Sequence, residues 1–350
     1  MILYWSLLKT LIVMKNSTIL LLIVIFNVLF SCERTDLQPK PDSYLEYLSD
    51  KTILSIEIYN NKIWIASSKY CDTCYIHPAS SAIPTIEQLT VVENSTYEYE
   101  EGTIFGTPRC DNAGNLYVAN SMEIYKVNNL NDYSLFLETG DFRFKSFVFD
   151  KDDNIWFSGY NGIAFWDKTE LVIYNSNNSE LPTDITHGLA IDKSGVVWIA
   201  LDFKGLLKID SDKWEIIPNN NIPGLTSLSY LRSPIVDADN NIWFEVFVSN
   251  KTSNIVMYNG TDWEYQYPDE SGNGKFHGNL SIDSKGRIWS INTFFEYGTN
   301  ILSGSSLSFR NNGKWVTLDA SDIETRILDV NANDNKIFIG TVNGLFEKNY

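Results

Sequence analysis

The sequence is poor in the residues and motifs that most catalytic and metal sites require. Its 350 residues include three histidines, four cysteines and four methionines. We find no nucleophile elbow, phosphate-binding P-loop or zinc-protease string in it. Basic residues are also scarce, with 27 Lys and Arg against 44 Asp and Glu, for a formal net charge of −17. Because such a field repels nucleic acids and anionic lipids, we expect neither as a partner, and we expect no cofactor or metal.

Long hydrophobic runs are lacking beyond the first 31 residues, so no membrane span is expected in the rest of the protein. The opening is different: "TILLLIVIFNVLFSC", ending at Cys32, follows Lys9 and Lys15. A basic start, a short apolar run and a cysteine resemble a bacterial lipoprotein signal, although Phe30 is bulky for that pattern. The resemblance implies a signal peptide over residues 1–31, lipidation at Cys32 and a cell-envelope location. An uncleaved anchor is the alternative, and Met1 and Met14 are both possible starts.

Two of the remaining cysteines lie close together in "YCDTCYIHP". In an oxidising compartment, Cys71 and Cys74 are predicted to form a disulfide that closes a small loop. The alternatives are a redox pair, which lacks the surrounding βαβ pattern, and a zinc site with His77, which lacks a fourth ligand.

A phrase built around one aromatic residue recurs along the sequence, at intervals of 39 to 53 residues. A period of this length made of short alternating strands is typical of β-propeller blades. An acidic residue precedes the aromatic by six in five copies, and Gly, Asn or Asp precedes it by three. Residues of those types tolerate positive φ, so this slot predicts a tight hairpin turn. The aromatic positions are Trp64, Tyr117, Trp156, Trp198, Trp243, Trp289 and Phe338.

Seven copies predict an all-β, seven-bladed β-propeller with four-stranded antiparallel blades over residues 43–350. The last copy runs out after its third strand. Since an unpaired edge strand is a liability, we expect residues 43–49 to supply the fourth strand and close the ring. Residues 32–42 would then be a lipid-anchored tether.

The phrases "DNIWFSGYNGIAFWD", "GVVWIALDFKGLLKID" and "NKIFIGTVNGLFEKN" resemble the two-component regulator propeller repeat. The likeness covers residues 44–350 and specifies a blade, not a ligand. It implies kinship with periplasmic sensor propellers, although those sensors commonly carry further domains and a kinase. The "NNIWF" phrases also look like streptogramin-lyase propellers, which keeps an enzyme among the possibilities.

Blade topology places tight turns on one face of the propeller and every irregular loop on the other, so we expect binding on the loop face. His187 and His277 precede inner strands there and are the candidates for a catalytic pair at the mouth of the central channel. Aromatic residues beside Asn and Asp suit stacking on sugar rings. The predicted ligand-binding residues are Tyr70, Tyr160, Phe203, Tyr230, Phe276, His277, Phe294, Phe295 and Tyr297.

Three functions are therefore open. The first is a non-catalytic, monomeric envelope lipoprotein that binds a glycan or a protein partner on its loop face, with a lipid anchor as its only membrane contact. The second is a lyase or hydrolase that uses His187 or His277. The third is a structural subunit that docks onto an envelope complex through the rim of the propeller.

Overall fold

The computed structural model describes residues 45–47, 51–59, 62–69, 88–93, 96–101, 109–129, 132–248, 254–266, 280–283, 286–295, 302–311, 313–318, 320, 323, 325–333 and 336–349. These residues form β-strands and one short 3₁₀ helix, Asn219–Asn221. The first strands are β1 (Leu45–Tyr47), β2 (Lys51–Tyr59), β3 (Lys62–Lys69), β4 (Gln88–Glu93), β5 (Thr96–Glu101), β6 (Arg109–Cys110), β7 (Leu116–Ala119), β8 (Glu123–Asn129), β9 (Asp132–Glu138), β10 (Phe144–Phe149), β11 (Ile155–Gly159), β12 (Ile163–Trp166), β13 (Leu171–Tyr174) and β14 (Thr186–Ile191). They are followed by β15 (Val197–Leu201), β16 (Gly205–Asp210), β17 (Lys213–Ile217), β18 (Ser229–Val236), β19 (Ile242–Val248), β20 (Asn254–Tyr258), β21 (Trp263–Gln266), β22 (Leu280–Ile282), β23 (Ile288–Phe295), β24 (Leu302–Asn311), β25 (Lys314–Leu318), β26 (Ile327–Ala332), β27 (Lys336–Thr341) and β28 (Gly344–Asn349).

The strands pair into four-stranded antiparallel sheets, which confirms the predicted β-propeller architecture of four-stranded antiparallel blades. Within the described residues there are seven such sheets, numbered here in the order of the sequence. Sheets 1 to 6 each take four consecutive strands, from β2–β5 to β22–β25, and sheet 7 holds β26, β27, β28 and β1. In sheet 7, Leu45 lies opposite Glu347 and Tyr47 lies opposite Leu345, so β1 occupies the edge beyond β28.

The recurring aromatic residue marks the same place in every sheet. Each of the seven predicted positions falls in the second strand of a different sheet, from Trp64 in β3 to Phe338 in β27. Sheet 4 shows the pattern: its second strand is Val197–Leu201, its third strand is Gly205–Asp210 and its outer strand is Lys213–Ile217. The repeated aromatic positions therefore coincide with the second strands of these sheets.

The turn between the first and second strands explains why an aspartate stands six residues before the aromatic. In sheet 5 the Asp237 carboxylate accepts backbone N–H groups of Asp239 and Asn241 at 2.9 and 2.8 Å, and the Trp243 indole N–H at 2.8 Å. Equivalent indole bonds to the turn aspartate occur in sheets 4 and 6, at 3.0 and 2.9 Å. One carboxylate thus stabilises the hairpin turn and also binds the buried ring.

The slot three residues before the aromatic adopts positive φ, as predicted. The values are 81° at Gly114, 58° at Asp153, 87° at Gly195, 67° at Asn240 and 73° at Gly286. Non-glycine residues at two of these positions are Asp and Asn, the side chains that tolerate this region best. The positive φ of the turn therefore restricts the residue type at this position.

Neighbouring sheets pack face to face through apolar side chains. Trp198 and Leu206 of sheet 4 share one buried cluster with Phe244 of sheet 5. Sheets 7 and 1 meet in the same manner, where Ile53 packs with Phe338 and Leu345. The backbone N–H of Ile56 also donates to Asp329 across this junction at 2.7 Å. Regions far apart in sequence are therefore joined by core packing.

Each sheet has two unlike ends. The end that carries the turns between strands one and two and between strands three and four is called the turn end, and the opposite end is called the loop end. At the loop end, β15 passes to β16 through Asp202–Lys204, and the polypeptide enters β14 and β18 from long crossings. None of the helices in the described part of the protein is long and apolar enough to cross a membrane.

Candidate functional site at the loop end of sheets 3 to 5

Many of the sequence-predicted site residues lie outside the described residues. Phe294 and Phe295 belong to strand β23, where Phe294 lies opposite Gly304, so the prediction that they sit in a loop is wrong. Strand β23 runs from Ile288 to Phe295, so "INTFF" is the C-terminal part of the strand. The predicted residues outside the described part are Cys32, Tyr70, Cys71, Cys74, Phe276, His277 and Tyr297.

His187 is the second residue of strand β14 at the loop end, and not before the strand as predicted, and it has a carboxylate partner. Its Nε2 is 2.7 Å from Oδ1 of Asp202, the residue that follows strand β15. Burial lowers the pKa of His187 below its ordinary value, although the hydrogen bond to Asp202 acts in the opposite direction. The ring is therefore neutral at pH 7, and the carboxylate holds it in one orientation.

Tyr230 is the centre of an aromatic stack and not an exposed ring. It lies inside strand β18 and is 5% exposed. The His187 ring stacks on it at 4.5 Å between centroids, and Phe247 packs at 4.7 Å. Phe203 meets it edge-on at 5.2 Å. The prediction that Tyr230 contacts a ligand directly is not supported by this burial; its ring instead positions His187 and Phe203.

Tyr160 lies in the predicted loop after β11 and packs beneath a cation. The Lys145 ammonium is 4.0 Å from the centroid of the Tyr160 ring. It also donates a 3.0 Å hydrogen bond to the carbonyl oxygen of Thr186, the first residue of β14. Burial lowers the pKa of Lys145, while the charge of Asp202 opposes this shift. Lys145 thus links sheet 3 to sheet 4 at the loop end.

Sheet 5 contributes a buried ion pair. Arg232 Nε donates to Glu245 Oε2 at 2.6 Å, and these residues lie directly opposite each other on β18 and β19. Burial raises the pKa of Glu245 to about 7, with Arg232 acting in the opposite direction. The second oxygen, Oε1, is buried and has no hydrogen-bond partner among the described residues.

Lys145, His187 and Arg232 occupy one equivalent position in three consecutive inner strands. Each stands five residues before the aspartate of its turn. The register of β10 slips around Lys145, between Phe144 and Ser146, and that of β14 slips around His187, between Thr186 and Leu189. In β18 the slip directly follows Arg232, between Arg232 and Ile235. A β-bulge changes the direction of the side chains around it.

Sequence reasoning missed Lys145, Arg232, Asp202 and Glu245, and the repeat contained a usable signal for the first two. Counting back five residues from the turn aspartate finds Lys145 and Arg232 as well as His187. For Asp202 and Glu245 the repeat offers no such marker.

Exposed apolar side chains lie on the segments that carry or directly precede members of this cluster. Ile185 is 38% exposed, Phe203 is 42% exposed and Leu228 is 64% exposed. The Asp202 N–H donates to the Ile185 carbonyl at 3.0 Å, so Ile185 is bonded to the residue that precedes Phe203. Phe203 itself adopts a φ of 53°, a conformation unusual for a bulky residue. A strained residue that presents a ring to solvent is a feature of binding loops.

The described side chains suit binding better than metal chemistry. No group of three or more His, Cys, Asp or Glu side chains in the part of the protein described is arranged to hold a metal ion. The cluster contains two cations and a neutral imidazole, and exposed apolar residues lie on the same segments. Those groups can accept an anionic group and cover an apolar one.

Comparisons with known proteins give the fold. The sequence matches no family profile, and no curated protein sequence is significantly similar to it. Among solved structures, it is similar to a catalytically inactive virginiamycin B lyase from Staphylococcus aureus with quinupristin, at 12% identity and a TM-score of 0.60, covering 87% of this protein and 97% of that one. It is also similar to the extracellular domain assigned to a hybrid two-component system of B. thetaiotaomicron, at 17% identity and a TM-score of 0.63, covering 89% of this protein.

That extracellular domain is much longer, because the matched region spans 41% of it. A third similar structure is YCF48 bound to D1 peptide, at 13% identity and a TM-score of 0.58, covering 89% of this protein and 98% of that one. At these identities the likeness supports the β-propeller fold and carries no function with it.

Proposed function

We propose that the protein is a non-catalytic β-propeller binding module that captures a partner on its loop end. The observation that carries the proposal is the exposure of Ile185, Phe203 and Leu228 beside the Lys145–His187–Arg232 cluster. Exposed apolar groups next to polar ones on a rigid scaffold mark interaction surfaces. The sensor domains and the peptide-bound propeller among the similar structures are compatible with this role.

Between a glycan and a protein partner, the exposed residues favour a polypeptide. Sugar rings stack on flat aromatic side chains, but two of the three exposed residues here, Ile185 and Leu228, are aliphatic. Tyr230, a predicted stacking residue, is covered by other rings. Aliphatic contacts are of more use to an apolar protein side chain, so we propose a polypeptide partner and keep a glycan as the alternative.

The proposal includes the architecture in which the site would work. We propose that the seven sheets form one ring of seven blades, with β1 as the outer strand of the last. The β1–β28 pairing and the Ile53–Phe338 packing support this closure. We also propose that residues 1–31 are a lipoprotein signal, that Cys32 is the lipid-anchored residue of a protein in the cell envelope, and that Cys71 and Cys74 form a disulfide. Residues 32–42 would leave the propeller tethered at the membrane surface as a monomer.

Site-specific cross-linking in the native cell tests the binding role. A photoreactive phenylalanine analogue placed at position 203 should capture a discrete partner. The matched control is the same analogue at Val316, which is equally exposed at 42% but lies on the outer strand β25 of sheet 6. Equal capture at both positions, or capture from position 316 alone, would overturn the loop-end assignment and favour docking through the rim.

A catalytic function is the second candidate, because His187 and Asp202 form a pair 2.7 Å apart. A neutral histidine oriented by a carboxylate is suited to proton transfer. Incubation of the full-length protein with quinupristin, followed by mass spectrometry of ring opening, tests a lyase of the streptogramin type. Turnover that disappears in a His187→Gln or His277→Gln variant would support the enzyme and contradict the non-catalytic proposal.

A further inference from the structure

Lys145 is a half-buried cation without a carboxylate partner in the described part of the protein. Its described contacts are the Tyr160 ring at 4.0 Å and the Thr186 carbonyl at 3.0 Å. The nearby carboxylates at the loop end have other partners: Asp202 is hydrogen-bonded to His187, and Glu245 forms an ion pair with Arg232. An ammonium has three N–H donors, so its capacity for hydrogen bonds exceeds what these contacts use.

The neighbouring charges leave Lys145 as the group open to an anion. Asp202 is the acidic residue whose charge acts on Lys145, but its Oδ1 is hydrogen-bonded to His187. Arg232 is committed to the buried Glu245. An anionic group can therefore approach Lys145 without breaking either pair, and a half-buried site strengthens the attraction relative to an exposed lysine.

Two exposed apolar residues lie on the segment that Lys145 contacts and on the segment bonded to it. Thr186, which accepts the bond from Lys145, follows Ile185 in the sequence. Ile185 in turn is bonded to the segment that presents Phe203. The two exposed apolar side chains and the ammonium thus belong to adjoining segments of one surface.

We infer that Lys145, Ile185 and Phe203 form a subsite for a carboxylate that stands next to an apolar side chain of a polypeptide. The inference rests on the proposed function and specifies the chemistry of the partner. The carboxylate pairs with Lys145, and the apolar group beside it covers Ile185 and Phe203. The C-terminus of a polypeptide and an Asp or Glu residue within one both supply this chemistry.

Small probes of matched shape test the subsite. The protein has three histidines, so its ring carbons give a sparse NMR spectrum in which His187 is assigned from a His187→Gln variant. The full-length protein in mild detergent is titrated with N-acetyl-leucine, which carries a terminal carboxylate, and with N-acetyl-leucinamide, its neutral isostere. N-acetyl-aspartate α-amide represents the side-chain carboxylate, and glucuronate and glucose represent an acidic and a neutral sugar.

We expect at least one of the two acid derivatives of amino acids to shift the His187 signals at a concentration at least tenfold lower than N-acetyl-leucinamide. The better of the two identifies the source of the carboxylate. Lys145→Met should abolish the preference for acid, and Lys145→Arg should retain it. Lys204→Met is the matched control, because it removes one exposed positive charge from the residue after Phe203. Thermal unfolding of each variant establishes that it is folded.

Three results would overturn the inference. Equal binding of N-acetyl-leucine and its amide would show that the carboxylate is not recognised. Equal losses of binding in Lys145→Met and Lys204→Met would show that positive charge acts at long range and not through a subsite at Lys145. Glucuronate binding that exceeds the amino-acid probes and depends on Lys145 would replace the polypeptide by an acidic saccharide. Specific cross-linking from position 203 alongside any of these results would preserve the proposed binding role while the subsite fails.

Discussion

Replacement of Glu245 by glutamine is predicted to change how stability depends on pH. The carboxyl group is buried opposite Arg232, and burial raises its pKa from 4.5 to about 7 in the folded protein. The folded state therefore binds more protons than the unfolded state between these two values. Stability from this group is fully present below pH 4.5 and is lost as the pH rises through about 7.

The size of the loss follows from the shift. One pKa unit corresponds to about 1.4 kcal/mol, so a shift from 4.5 to about 7 corresponds to about 3 kcal/mol at pH 8. Glutamine has nearly the same shape and does not titrate, and its side-chain oxygen can still accept the bond from Arg232. The difference in unfolding free energy between Glu245→Gln and the natural protein should therefore be constant below pH 4.5. It should then move in favour of the variant by about 3 kcal/mol towards pH 8.

Urea denaturation of both proteins at several pH values between 4 and 8 measures this difference. His187 contributes a slope of opposite sign, because its lowered pKa makes the folded state bind fewer protons. Both proteins contain His187, so this slope cancels in the comparison. A difference that stays constant across the range would refute the reasoning, since Glu245 would then be ionised beside Arg232 throughout.

Two further predictions concern the framework of the sheets. Asp237→Ala should lower the unfolding free energy by about 2–3 kcal/mol in a denaturation assay, because it leaves the buried Trp243 indole N–H unpaired. Asp167→Ala is the control: it removes only the exposed turn bonds to Thr169 and Glu170, so its loss should be clearly smaller in the same assay. Gly188→Ala should cost about 2 kcal/mol, because Gly188 has a φ of 128° and a Cβ there would lie 3.0 Å from Pro234 Cδ. Gly195→Ala is its control, since a φ of 87° strains it but no atom lies within 4 Å of the added Cβ; an equal loss in both variants would assign the effect to φ alone.

The sequence predicted the turn end of the sheets in detail because local chemistry controls it. Positive φ at Gly195 and Asn240 and the aspartate caps at the turns follow from contacts within seven residues. The Trp243 indole bond to Asp237 was not predicted, although the constant spacing of six residues between the two was visible in the sequence. Because the aspartate accepts hydrogen bonds from both the turn and the indole ring, its separation from the aromatic residue is fixed at six. The constant spacing therefore reflects the indole bond as well as the turn.

The loop end was less predictable because its contacts join residues that are distant in sequence. His187 was located from its place before an inner strand, but its stacking on Tyr230 depends on how sheet 4 packs on sheet 5. Lys145 reaches Thr186 across 41 residues. Glu245 sits in an apolar strand, and the sequence does not indicate that Arg232 lies opposite. Pairing between neighbouring sheets therefore decides the chemistry of this end.

The unlike ends of the sheets have one physical origin. At the turn end, the aspartate stabilises the backbone of its own hairpin, so any other side chain loses several hydrogen bonds. At the loop end, the position five residues earlier makes no such bonds within its turn: Lys145 donates to a carbonyl of the next sheet, His187 pairs with Asp202, and Arg232 pairs with Glu245. Three residues with three different partners occupy one geometric position, so the fold itself does not require a particular residue there. The chemistry of that position can differ from sheet to sheet without cost to the hairpins, and this freedom is the physical basis for the proposal that a ligand is recognised at the loop end.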